Sequence, residues 1–204
     1  MTMSGFAGVK GLMFAASALM LSACIAPRVS DTDFTQGVGQ PADQVSAWAL
    51  GDVRAEVSSD LTVTQSPSTR YPPITELVWY GDPPGDRRAQ VEALMADAVR
   101  AGAADALVGS QPVTIALNIK EFHAMTPRAR SSELQLGVHE IRFDVSVIDN
   151  SGTVLASEND VRADLQAFSG ASAVEAEQLG QGQKIRIQSR VAQVIRAWLV
   201  ASGV

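Results

Sequence analysis

Apolar and polar residues alternate most clearly where Val113, Ile115, Leu117 and Ile119 are interleaved with Thr114, Ala116, Asn118 and Lys120. A period of two places the apolar set on one face of a half-buried strand. Ile141, Phe143, Val145 and Val147 repeat the pattern against Arg142, Asp144 and Ser146. Asp149-Asn150-Ser151-Gly152 then reads as a tight hairpin turn. A third strand is expected from Thr153 toward Phe168, broken or bulged over residues 157–160. Upstream, Val53, Ala55 and Val57 alternate with Asp52, Arg54 and Glu56, and Leu61 and Val63 continue the period. Pro67, Pro72 and Pro73 interrupt it, and a short extended run follows over residues 76–80.

Elsewhere the spacing changes to three and four. Val91, Leu94, Met95, Ala98 and Val99 fall on one helical face, with Arg88, Glu92 and Arg100 outside it. Gly81-Asp82-Pro83-Pro84-Gly85 is a strong turn, after which Asp86 is placed to cap the helix. Gly102 marks a weak end for this helix, and Gly109 and Pro112 stop it. Ile187, Val191, Val194, Ile195, Trp198 and Leu199 form the face of a C-terminal helix. That helix starts near Val174 and has a weak point over residues 180–182. The order predicts an α+β fold over residues 48–204. It is a two-layer sandwich with a mainly antiparallel sheet, in the order strand, helix, three-strand meander, helix, covered on one face by the two helices.

The first segment carries a different signal. Lys10 is its only charged side chain, and residues 11–21 are an apolar run too short to span a hydrocarbon core of about 30 Å. The run ends in Leu21-Ser22-Ala23-Cys24, which resembles a bacterial lipobox. The resemblance implies cleavage between Ala23 and Cys24, a diacylglyceryl group on the Cys24 thiol, and a mature chain tethered to a membrane by its first residue. Residues 1–23 are then a signal peptide. Residues 24–47 are a lipidated N-terminus and tether, rich in Ser, Thr, Asp, Gln, Gly and Pro. In many Gram-negative envelopes an aspartate after the lipidated cysteine retains the protein at the inner membrane. Ile25 stands there instead. By that rule the protein reaches the outer membrane, facing the periplasm, with the inner membrane as the alternative.

Composition narrows the function classes. The net charge is −6, and loss of residues 1–23 removes one lysine and no acid, giving −7. This acidic balance argues against nucleic acid and against electrostatic binding to anionic lipid. Cys24 is the single cysteine, so no intramolecular disulfide is available. The body must rest on its apolar core.

Candidate chemistry is sparse. The two histidines are His123 and His139. His139 is in phase with Ile141 and Phe143, as a satisfied core or edge residue would be. Glu121 and His123 are two apart and share a strand face, an arrangement open to acid–base work but more commonly a solvated face. No clustered metal-ligand spacing is present, so neither metal nor cofactor is expected. Ser110 lacks a nucleophile-elbow context. Gly180-Gln181-Gly182-Gln183-Lys184 has the wrong spacing for a phosphate loop. Two stretches qualify as partner-binding candidates: Tyr71, Trp79 and Tyr80 among four prolines, and Arg128 with Arg130 on a long polar connection. For Trp79, with Leu77, the competing reading is core.

The segment order resembles the compact α/β domains of small periplasmic lipoproteins of proteobacteria, including auxiliary lipoproteins of ABC-type transporters and envelope-assembly helpers. The run Trp79-Tyr80-Gly81-Asp82-Pro83-Pro84-Gly85-Asp86-Arg87-Arg88 is similar to a segment of lipoproteins with no assigned activity. The resemblance implies a non-enzymatic binding or assembly subunit with an envelope protein as partner. The alternative is a periplasmic hydrolase whose active site carries no recognisable motif.

Overall fold

A computed structural model describes residues 47–63, 76–134 and 137–202. The expected tether, Ala23, Cys24 and Tyr71 lie outside them. In chain order the elements are β1 (Trp48–Val57), β2 (Thr62–Val63), β3 (Glu76–Val78), α1 (Arg87–Ala103), β4 (Gln111–His123), α2 (Pro127–Arg130), β5 (Val138–Ile148), β6 (Val154–Arg162), β7 (Leu165–Gln166), α3 (Gly170–Gln178) and α4 (Gln183–Ala201).

The strands build around β4. Its first nine residues pair with β1 and its last two with β3, on the same edge, and β5 lies along the other. β6 and β7 both pair with β5, β7 at its first two residues, and β2 pairs with β3. The meander β4–β5–β6 is antiparallel, as its hairpin turn requires. The expectation of a mainly antiparallel sheet needs correction, because β1–β4, β2–β3 and β3–β4 are all parallel. The sheet is mixed. For β1–β4 and β3–β4 the reason is the connection: α1 carries the chain back between β3 and β4, and a crossover of this kind leaves neighbouring strands parallel. Alternation reports which face of a strand is buried and is silent about its direction.

The faces themselves agree with the residue pattern. Val113, Ile115, Leu117 and Ile119 are buried, as are Ile141, Phe143, Val145 and Val147 across from them. Val91, Leu94, Met95, Ala98 and Val99 of α1, and the six apolar α4 residues from Ile187 to Leu199, belong to the same core. Asp86 caps α1, accepting from the backbone N–H of Arg88 at 3.0 Å and of Ala89 at 3.2 Å. Gly102 is the penultimate residue of α1, at the helix end as expected. A Cβ there would run into the backbone of Ala192, so its missing side chain is what lets α1 and α4 approach.

Three local departures shape the far end of the sheet. The polar connection after β4 contains α2, whose N-cap Thr126 accepts from Ala129 N at 3.2 Å. The third strand is bulged at Asp160, a non-glycine residue with φ of 60°, and ends at Arg162. Asp164 Oδ1 then accepts from Ile141 N at 2.9 Å. The last helical segment divides at Gly180, where φ is +70°, into α3 and α4.

Leu117 is 3 % exposed on the core face, whereas Asn118 is exposed on the other. Leu117→Ala is expected to lower unfolding free energy by about 2–5 kcal/mol. Asn118→Ala is expected to change it by well under half of that. Urea titration of the two variants checks the assignment, and equal losses would reject it.

Candidate functional site

The turn between β3 and α1 is held by one carboxylate. Trp79 is fully buried, edge-on to Phe122 with ring centroids 5.7 Å apart, and its indole N–H donates to Asp82 Oδ2 at 2.8 Å. Lys184 Nζ, from the first turn of α4, donates to Asp82 Oδ1 at 2.6 Å. Burial works to raise the Asp82 pKa, but the Lys184 and Trp79 hydrogen bonds, with the Lys184 and Arg87 charges, outweigh it and hold the carboxyl below its ordinary value. Arg87, 6 % exposed, donates to the carbonyls of Asp82 and Pro83 at 3.0 and 3.1 Å and to Gln90 Oε1 at 2.8 Å. A Cβ on Gly81 would collide with the Trp79 ring, so only glycine fits this turn.

This node sets Tyr80 beside a cleft of about 230 Å³. Met125, Arg130, Glu177, Lys184 and Ile185 also line it. Arg130 on α2 forms an ion pair with Glu177 on α3. Ile185, in the lining, is 44 % exposed. The wall is therefore one aromatic ring, apolar side chains and charges already matched within the protein. The segment from Gly180 to Lys184 does not cradle a phosphate: its lysine is committed to Asp82.

Two of the sequence candidates, Tyr80 and Arg130, thus meet in one place. Trp79 does not join them, because its ring fills the core and its N–H is spent on Asp82; the core reading of this residue is the one that matches its position. Arg128 is exposed on α2 and is not part of the cleft lining. Glu177 and Ile185 escaped the sequence reading, and Lys184 entered it only as the lysine of a rejected phosphate-loop match. The glycines at 180 and 182 were their only local signal, since they break the helix and turn the start of α4 toward the cleft.

The histidines have separate surroundings. His139 is buried, 1 % exposed, in phase with Ile141 as expected. It is not satisfied, however, since neither ring nitrogen has a hydrogen-bond partner. Burial, reinforced by the charge of Arg186, lowers its pKa to about 4. His123 lies on the other face of the sheet, with Nδ1 3.5 Å from Glu140 Oε2. Glu121, His123 and Glu140 each place one ligand-type atom within 4.8 Å of the others. Glu140 was invisible as a partner because it meets His123 only through the β4–β5 register.

A family model matches residues 48–204. The chain belongs to that family, a family of unknown function (DUF6778). Among solved structures it is similar to the PelC dodecamer from Paraburkholderia phytofirmans. The identity is 15 %, the TM-score 0.35, and the match covers 74 % of this chain and 92 % of that one. A variant of the same dodecamer gives 16 %, 0.36, 80 % and 94 %. A candidate lipoprotein from Caulobacter crescentus CB15 gives 19 % identity and a TM-score of 0.27, covering 54 % of this chain and 83 % of that one. None of the curated proteins matches.

The buried His139 makes stability acid-sensitive. Its folded pKa lies below the unfolded value of about 6.5, so on acidification the unfolded chain takes up the proton first. The contribution is constant above the unfolded value, falls as pH drops from about 6.5 to about 4, and totals roughly 3 kcal/mol at 1.36 kcal/mol per pKa unit. His139→Leu, which also removes two unpaired buried nitrogens, is expected to flatten this part of the profile. Urea unfolding at pH 7.5 and 4.5 checks it; an unchanged difference between the two pH values would rule out His139 as its source.

Proposed function

We propose that the protein is a membrane-tethered lipoprotein of the bacterial envelope that acts as a non-enzymatic binding or assembly subunit. The observation that carries the binding role is the cleft at Tyr80, Arg130 and Ile185. Its charged groups are matched internally as Arg130–Glu177 and Lys184–Asp82, which fixes its shape. The exposed Ile185 in its wall offers an apolar contact. An aromatic ring beside a shaped, apolar-edged cleft suits recognition of a protein partner.

The tether rests on Leu21-Ser22-Ala23-Cys24 and the short apolar run before it. Among the described residues, no helix is long and apolar enough to cross a membrane, which is compatible with attachment by lipid at Cys24. Two or more acyl chains hold a protein firmly, whereas one holds it reversibly. With Ile25 after the cysteine, the reading places the anchor in the outer membrane.

Cys24→Ser is expected to abolish incorporation of labelled palmitate and to leave the precursor uncut. The wild-type chain is expected to sediment with outer-membrane porins on a density gradient. A variant that still matures to the same mass and resists alkaline washing would overturn the tether. Ile185→Asp tests the cleft separately: a cross-linked envelope partner should be lost while the thermal midpoint is kept. Retention of that partner by the variant would move the binding surface elsewhere.

A further inference from the structure

The sheet carries a bulge whose consequence is chemical. Along β4 the buried residues run Val113, Ile115, Leu117, Ile119 and then Phe122. The phase slips because Lys120 has no opposite residue: Ile119 faces Phe143, and Glu121 faces Arg142. Lys120 Nζ pairs with Asp144 at 2.6 Å, and Arg142 Nε lies 3.4 Å from Glu121. Asp144 and Arg142 flank the buried Phe143, so both partners stand on the face opposite the core. Simple alternation would have sent Glu121 and His123 into the core after Ile119. The bulge turns them onto the open face, where His123 meets Glu140 in register. Bulges re-aim side chains in this way beside functional sites.

The three groups brought together are Glu121, His123 and Glu140. The first two are largely buried, with side chains 12 % and 14 % exposed, and Glu140 is 56 % exposed. Their ligand-type atoms lie within 4.8 Å of one another. Two donors on a tetrahedral zinc ion, each at about 2.0–2.2 Å, are roughly 3.3–3.6 Å apart. Closing the set takes a movement of about 1 Å, a side-chain adjustment for which the exposed Glu140 has room.

His123 is poorly satisfied as it stands. Its Nε2 is buried without a hydrogen-bond partner, and its Nδ1 contact to Glu140, at 3.5 Å, is too long for a good hydrogen bond. A buried imidazole nitrogen without a partner is costly unless something binds it.

Local charge favours a cation. Arg142 lies against Glu121 and Asp160; Arg162, opposite it in register, lies 3.9 Å from Asp164, and Lys120 pairs with Asp144, so with Glu140 the carboxylates on this face outnumber the cations. Arg142 is the competitor for Glu121. It also lies 3.3 Å from Asp160, so it keeps a carboxylate when Glu121 is taken. We propose that Glu121, His123 and Glu140 form a binding site for a divalent transition metal of the zinc class. One imidazole and two carboxylates suit such an ion better than magnesium or calcium, which take all-oxygen sites.

The test is calorimetric titration of the purified full chain with zinc chloride in a non-chelating buffer. The chain carries Cys24→Ser so that its one thiol takes no part. One saturable equivalent is expected, with a rise in thermal midpoint that magnesium chloride does not reproduce. His123→Asn and Glu140→Gln are each expected to weaken zinc binding at least tenfold. Glu140 is exposed, so its variant folds even where the His123 variant does not. Glu175→Gln, an exposed acid on α3, should bind as the parent does, and Arg142→Gln, which removes the competing cation, should bind more tightly. Absence of saturable zinc binding, or binding that survives both His123→Asn and Glu140→Gln, would overturn the site and leave a cross-strand ion-pair ladder in its place.

Discussion

The pairing of β4 on both edges is the constraint on which this structure depends. β1 and β3 share one edge of it and β5 takes the other, so parallel and antiparallel ladders meet on one strand. Its core face is continuous with the buried faces of α1 and α4. With no disulfide available, this shared apolar surface is the main stabilising term, at about 25 cal/mol per Å² removed from water. The same strand is thirteen residues long and does not keep one phase throughout. Where it slips, at Lys120, the sheet changes from a purely structural surface to one that gathers a histidine and two carboxylates.

The second organising point is Asp82. Its two oxygens join Trp79, packed under the sheet, to Lys184 at the start of α4. Lys184 is 42 % exposed, so the ion pair itself is a modest energetic term. Its value is geometric. Trp79, Arg87 and Gly81 leave the turn one conformation, and that conformation sets Tyr80 against the cleft. The cleft is therefore built by three elements far apart in sequence: the β3–α1 turn, α2, and the α3–α4 junction.

The two sites make different chemical demands. The cleft has its charges internally matched and presents aromatic and apolar groups, which suits the proposed contact with a protein. The bulge cluster has an excess of carboxylates and an unsatisfied imidazole nitrogen, which suits the proposed metal ion. Neither requires the other.

The sequence by itself determined the apolar faces of the main strands and helices. The apolar phases of β4, β5, α1 and α4, the Asp86 cap, the hairpin after Ile148 and the break near Gly180 were all readable, because each depends on neighbours a few residues away. Strand direction was not readable, since half-buried parallel and antiparallel strands carry the same alternation. Nor was the slip at Lys120, because a bulge is defined by the opposite strand. Glu140 therefore could not be joined to His123, nor Lys184 to Tyr80, from the chain alone. Trp79 was readable only as a choice between core and surface, and the Asp82 hydrogen bond decides it. Local periodicity encodes how deeply a side chain is buried; what it meets there is a long-range choice that only the tertiary structure makes.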